Sequence, residues 1–472
     1  MKNYFKHIKS KTNFTKVKPM VKLSLILLIG CNIALFSCES FLEVEPPSNQ
    51  ITGEAVFKNT STATAALVNI YAGLRLDGLF DGTTISITGT LAHYADELES
   101  FGNSHYYDNA LDPLNSGVLS TWGNTYNLIY AANAVIERVN NSTEIPQENK
   151  DQLIGEALFS RALMHFYLTN LFGDIPYIAT SNFQENTQAS KMSVAEVYQK
   201  IITDLLTAKG LLSNVYISGE RTRPNSGVVS ALLSRVYLYH EDWENAEQES
   251  SLLVGNTGVY TWETDLSKVF LKESRSTIWQ FKPLVNGLNT NEASVYIFVS
   301  GPPPLTALTN TLIDGFEPGD NRFTNWVGTV TDGTDTWYHV FKYKAQGNTG
   351  TSVEYSKQFR LAEQYLIRAE ARAMLNDIVG AQSDLNVIRT RAGLGNTTAA
   401  TTNDLLDAIL HERQVEFFVE KGHRFFDLKR MGKADAVLSL VKPGWNTTDA
   451  LFPIPEEEIL VNSNLLPQNP GY

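Results

Sequence analysis

Cysteine is nearly absent from this chain. Its 472 residues hold only Cys31 and Cys38, both near the N-terminus. The body that follows can therefore form neither a disulfide nor a Cys–His metal site. A cytosolic enzyme of this size usually keeps a few scattered cysteines, so their absence fits an exported protein. The eight histidines show no ligand spacing, and no HExxH, GxSxG or Walker loop occurs. Positive charge is also scarce, with 38 Lys and Arg against 51 Asp and Glu, a net charge of -13. Residues 1–37 carry seven lysines and no acids, which leaves 31 bases against 51 acids beyond them. A body this acidic repels phosphate backbones and offers no basic stripe, which excludes nucleic acid as a partner and disfavours polyanions. Long apolar runs are missing too. The longest, residues 23–36, is mostly apolar but too short to cross a bilayer. With 43% apolar and 19% charged residues, the composition is that of a folded globular protein.

The short apolar run does have a meaning. Residues 1–22 are basic, and Leu23 to Phe36 follow as a hydrophobic segment, the pattern of an export signal. Met20 would also serve as its start. The run ends at Leu35-Phe36-Ser37-Cys38, which resembles the lipobox of bacterial lipoproteins. Cleavage there would leave Cys38 to be acylated, and two or three acyl chains anchor a protein stably. Leu28-Ile29-Gly30-Cys31 competes, but cleavage at Cys31 would expose Ile33, Ala34, Leu35 and Phe36 at the new N-terminus. Glu39-Ser40 after Cys38 is polar, so Cys38 is the expected lipidation site.

Helical periodicity dominates the rest. Val194, Tyr198, Ile201, Leu205, Ala208 and Leu212 form one stripe. Residues 361–394 predict two helices broken at Asn376-Asp377, and residues 152–172 another long one. Ala231 to Tyr239 and a second helix from Trp243 complete a set of pairs similar to tetratricopeptide repeats. Gly173-Asp174-Ile175-Pro176 reads as a helix stop. Residues 277–356 differ. Ser276–Lys282 and Val295–Ser300 read as strands, Gly301-Pro302-Pro303-Pro304 cannot be helix, and Asp332-Gly333 marks a hairpin between Trp326–Thr331 and Thr336–Tyr343. Residues 99–120 form a further polar, aromatic loop.

A family resemblance runs nearly end to end. Cys38-Glu39-Ser40-Phe41-Leu42, Gly155-Glu156-Ala157 with Arg161-Ala162, and Leu171-Phe172-Gly173-Asp174-Ile175-Pro176 resemble segments of SusD/RagB proteins. So do Arg221 with Ala231-Leu232-Leu233-Ser234-Arg235, Arg360-Leu361-Ala362-Glu363, Leu385-Asn386-Val387-Ile388-Arg389 and Gln468-Asn469-Pro470-Gly471-Tyr472. The resemblance implies a mainly α fold. Helix pairs form the scaffold, and a less regular half with short strands and long loops binds the ligand. It implies a signal peptide over 1–37 and one domain over 38–472, with the irregular portion mainly at 77–120 and 277–356. It further implies an outer-membrane, cell-surface lipoprotein that captures a poly- or oligosaccharide and delivers it to a SusC-like TonB-dependent transporter without cutting it. The acidic charge favours a neutral glycan such as a β-glucan or fructan. A peptide receptor on the same scaffold and a surface glycosidase are the alternatives; the latter would need two buried carboxylates ~5–10 Å apart in a cleft.

Candidate residues follow from sugar chemistry. A sugar ring has an apolar C–H face and a rim of hydroxyls, so aromatics in loops and forked polar groups suit it. Tyr106, Tyr107, Tyr296, Trp326 and Trp337 lie in the non-helical stretches and are the expected platform, with Trp326 placed across the hairpin from Trp337 and Tyr338. Asp96, in the family's early acidic segment, and Arg360, opening a helix beside the irregular half, are added as polar contacts. Trp122 and Trp243 sit on helix stripes and are expected in the core. Glu412, Glu416 and Glu420 stack on one helix face and would repel unless cations neutralise them, so they and Arg424, Asp427, Lys429 and Arg430 read as structural ion pairs. No cofactor is expected. Asp332 and Asp335 are spaced to share a calcium ion, although a solvated turn suits them better.

Overall fold

The computed structural model describes residues 55–76 and 79–472. The expected signal peptide and Cys38 lie outside the described residues. No helix among those described is long and apolar enough to cross a membrane.

The predicted helices form, and their ends show why. Ser193 and Glu196 close a capping box at the start of Val194–Leu211, and Asn115 caps Ser116–Asn141 by accepting from Gly117 and Val118. Gln147–Phe172 stops at Gly173, whose φ of 75° is the left-handed conformation a side chain resists. The break at Asn376, with φ 64°, separates Leu361–Met374 from Ile378–Arg391. Helices pack in series: Ser116–Asn141 on Gln147–Phe172, that helix on Val194–Leu211, then Ser226–Tyr239 and Trp243–Gly255. Trp243–Gly255 packs directly on Leu361–Met374, so residues 256–360 leave the series and return to it. Gln147–Phe172 is buried on all sides from Leu153 onward, which places it at the centre of the largest apolar core.

Ion pairs tie these helices together. Glu156 accepts from Tyr71 at 2.7 Å and from Arg223 Nε at 3.0 Å, and Arg161 forks onto Asp204 at 2.6 and 2.7 Å. Arg235 grips Glu363 across two helices at 2.6 and 2.8 Å. Removing one partner of such a pair leaves a buried charge and costs about 3–5 kcal/mol.

Among the described residues the excursion contributes to three two-stranded antiparallel ladders, two within it and one with an earlier strand: Thr277–Phe281 with Ser356–Arg360, Val327–Thr331 with Thr336–Val340, and Thr306–Leu308 with Leu98–Ser100. The expected strand at Val295–Ser300 is absent. Thr290 accepts from the Ala293 N–H and starts a short helix, Asn291–Tyr296, and a local cap of this kind overrides β-branched propensity. A second, smaller core underlies this region, built from Leu266, Phe270, Tyr296, Leu312, Trp326 and Phe418 among others.

Candidate functional site

Three segments distant in sequence meet beside the small core. Leu98–Ser100 pairs with Thr306–Leu308, and that strand lies against Thr336–Val340 of the hairpin. Just past its strand, Phe101 donates its N–H to the Leu305 carbonyl at 2.9 Å and is 41% exposed. Trp337 pairs with Val330 across the hairpin and is half-buried. Its ring lies directly on Gly301: a Cβ there would sit 1.9 Å from Trp337 Cζ3, so only glycine lets the proline run carry this ring.

Tyr107 is half-buried on the same neighbourhood's edge. The Lys442 ammonium stands 3.8 Å from its ring centroid and donates to the Tyr107 and His93 carbonyls at 3.0 and 2.5 Å. Burial pushes Lys442 down to about 8, and burial together with that ammonium pushes His93 down to about 4. The Tyr107 phenol is raised by burial, then by the nearby Glu99 and Asp108 carboxylates. His93 Nε2 meets the Thr306 hydroxyl at 3.0 Å, and that hydroxyl donates to the Glu99 carbonyl at 2.7 Å. The result is a set of partly open aromatic rings, Phe101, Tyr107 and Trp337, on a hydrogen-bonded frame edged by acids. Tyr106 turns elsewhere. It packs at 6.0 Å from the Phe452 ring and lines a cleft of about 410 Å³ with Asp81, Ile85, Ser120 and Thr121. Burial raises its phenol to about 12.

Four expected contact residues are not available to a ligand. Trp326 has no exposed surface. It ends the helix Asn321–Trp326 rather than starting the strand, so it does not face Trp337. Its indole N–H donates to the Leu266 carbonyl at 3.0 Å. Tyr296 is 2% exposed in the same core, its hydroxyl donating to the Thr83 carbonyl. Asp96 accepts both arms of Arg424 at 2.8 and 2.7 Å, which fills its oxygens. Arg360 is buried and forks onto Glu416 at 2.8 Å and Glu420 at 2.8 and 2.9 Å. The stacked glutamates are neutralised from several elements: Glu416 also accepts from Arg391 at 2.6 Å and Arg322 at 3.3 Å, and Glu420 from Lys342 at 2.5 Å. Burial alone would raise Glu416. The guanidinium groups of Arg391, Arg360 and Arg322 reverse that and hold it far below the usual carboxylate range.

Glu97, beside Asp96, has an oxygen with no hydrogen-bond partner, and burial followed by the Asp96 charge pushes it up to about 8. The Asp332 carboxylate accepts from the Thr334 and Asp335 N–H groups at 2.8 and 2.9 Å, as an exposed turn does. Among the described residues no three His, Cys, Asp or Glu side chains converge as metal ligands. Phe101 is an exposed ring that reasoning from the sequence did not single out, although it lies in the polar, aromatic loop at 99–120.

Comparison with known proteins agrees with this architecture. Residues 40–238 match the SusD-like family model described as starch-binding associating with outer membrane, and residues 324–472 match the SusD family model. The stretch between them holds most of the irregular excursion, so the likeness rests mainly on the helical scaffold. SusD-like protein P2 of Formosa agariphila is 29% identical, over 95% of this chain and 98% of its own length. A SusD superfamily structure from Bacteroides vulgatus superposes with a TM-score of 0.75 at 22% identity, covering 88% of this chain and all of that one. A laminarin binding SusD-like protein superposes at 0.73 with 23% identity, over 88% and 100% of the two chains. The helical architecture and the matched segments on both sides of the excursion agree, and the chain belongs to the SusD/RagB family.

Proposed function

We propose that this protein binds a neutral polysaccharide, without cleaving it, at the face bearing Phe101, Tyr107 and Trp337. It then delivers the glycan to a SusC-like TonB-dependent transporter, itself held at the outer-membrane surface by acyl chains on Cys38. The observation that carries the reading is Trp337, a large ring left partly open but fixed from behind by Gly301. A rigid aromatic of this kind covers a sugar's C–H face at little entropic cost. Glu99 and Asp108 beside Tyr107 accept from sugar hydroxyls and repel uronates and sulfates, which favours a β-glucan or fructan. Laminarin, named for one similarly folded protein, is a rational first probe.

The test is affinity electrophoresis in gels containing laminarin or inulin, after a glycan array has ranked the ligands. Retarded wild type, with retardation largely lost in Trp337→Ala and Phe101→Ala while the melting temperature falls by no more than ~1–2 °C, supports the site. Binding of peptides alone would overturn it. Crosslinking in native membranes should also recover a barrel-sized transporter, because a receptor covering a transporter mouth needs an interface beyond the standard ~1,600 Å².

A further inference from the structure

The helix Ser116–Asn141 walls two clefts, and neither has a role in the reading above. Ser116, Gly117, Ser120, Thr121, Asn124 and Thr125 face the cleft that holds Tyr106. Trp122, Tyr126 and Tyr130, at i, i+4 and i+8, face another concavity of about 500 Å³ on the opposite side. Its other walls are Phe183, on the short helix Phe183–Asn186, and Glu458, on the helix Glu456–Val461. The volume falls in the range of small-ligand pockets.

The aromatic side of this concavity is rigid at its floor and open at its rim. Trp122 is 3% exposed and stands 4.9 Å from the Tyr126 ring. Tyr126 is fixed by donating its hydroxyl to the Pro176 carbonyl at 2.8 Å. Tyr130 and Phe183 are 44% and 72% exposed, a large apolar surface to leave in water. Polar groups without partners sit among these rings. Among the described residues, neither the Asn127 carboxamide, the Tyr130 hydroxyl nor the Glu458 carboxylate hydrogen-bonds to the protein. Burial and then Glu457 raise Glu458, and Glu458 in turn helps push the Tyr126 phenol up. An apolar protein partner would strand those groups on docking, at a cost for each. A sugar ring would not, since its C–H face covers aromatics while its rim of hydroxyls meets the amide, phenol and carboxylate.

We propose that this concavity is a second carbohydrate-binding subsite, taking one or two neutral hexose units of a polysaccharide. The assignment rests on the glycan-binding reading above. Its only charged lining group is a carboxylate, so neutral sugars are accepted and anionic ones rejected. A second contact on the same long chain raises affinity for a polymer far more than for a short oligosaccharide.

The experiment compares Tyr130→Ala, Phe183→Ala and Trp337→Ala with wild type, using laminarin and inulin polymers and their trisaccharides in calorimetry. Tyr130 and Phe183 are surface residues whose truncation should leave the melting temperature unchanged. Expected is a loss of polymer affinity of about tenfold in Tyr130→Ala and in Phe183→Ala. Trisaccharide binding at the Trp337 site should stay intact. Polymer affinity unchanged in both variants, while Trp337→Ala loses it, overturns the subsite and leaves the main function standing. Unchanged polymer affinity with loss of the crosslinked transporter overturns it in favour of protein docking. A wild type that binds no glycan on an array overturns both readings together.

Discussion

Trp326 and Trp337 lie eleven residues apart in one irregular region, yet their replacement by alanine should produce opposite phenotypes. Trp326 is fully buried. Its ring meets Phe270 edge-on at 5.4 Å, with Lys342 and Arg391 at 5.4 and 5.5 Å from its centroid. Truncation removes the largest side chain of the small core, about 3–5 kcal/mol for lost burial and cavity. It also orphans the Leu266 carbonyl, adding ~1 kcal/mol or more. The total rivals the ~5–15 kcal/mol of stability that a folded protein has. Trp337 is half-buried, so its truncation should cost ~1 kcal/mol of stability but over ~2 kcal/mol of binding, about thirtyfold in affinity. Urea unfolding followed by circular dichroism reads the first quantity, and gel retardation in laminarin, run well below the melting temperature, reads the second. A stable Trp326→Ala that fails to bind, or a Trp337→Ala that binds normally, would refute the assignment of the two rings.

The remaining predictions concern charge and anchoring. Glu416→Ala strips the counter-charge from Arg322, Arg360 and Arg391 and should cost about 3–5 kcal/mol in urea unfolding, with glutamine restoring only part of it. Glu97 keeps its proton to about 8 when folded and releases it near 4.5 when unfolded. Folding therefore takes up a proton between those values, and the contribution of Glu97 to stability falls as pH rises through that window. Glu97→Gln should flatten the stability profile from pH 4.5 to 8 and exceed wild type at the alkaline end; parallel profiles would show that Glu97 ionises normally. Cys38→Ala should move the protein from the membrane fraction to the soluble one, whereas an acylated, membrane-bound variant would assign the anchor to Cys31.

Local signals carried the scaffold. The stripes at 194–211, 361–374 and 378–391 emerge as helices because period, caps and the Asn376 break all act within a few residues. The stacked Glu412, Glu416 and Glu420 even declared that cations must face them, though not which ones. Arg322, Arg360, Arg391 and Lys342 come from four separate elements, and only the folded chain brings them to that face. Burial of single side chains was equally out of reach. Trp326 and Trp337 share a local setting, but one is enclosed by Leu266, Phe270 and Arg391 from far along the chain, while the other meets Gly301 from one side. Asp96 likewise waits for Arg424, 328 residues away. Sequence alone determined the helices and the family, because those depend on short-range geometry. Tertiary structure decided which aromatics and charges face solvent, because that depends on partners no local pattern names.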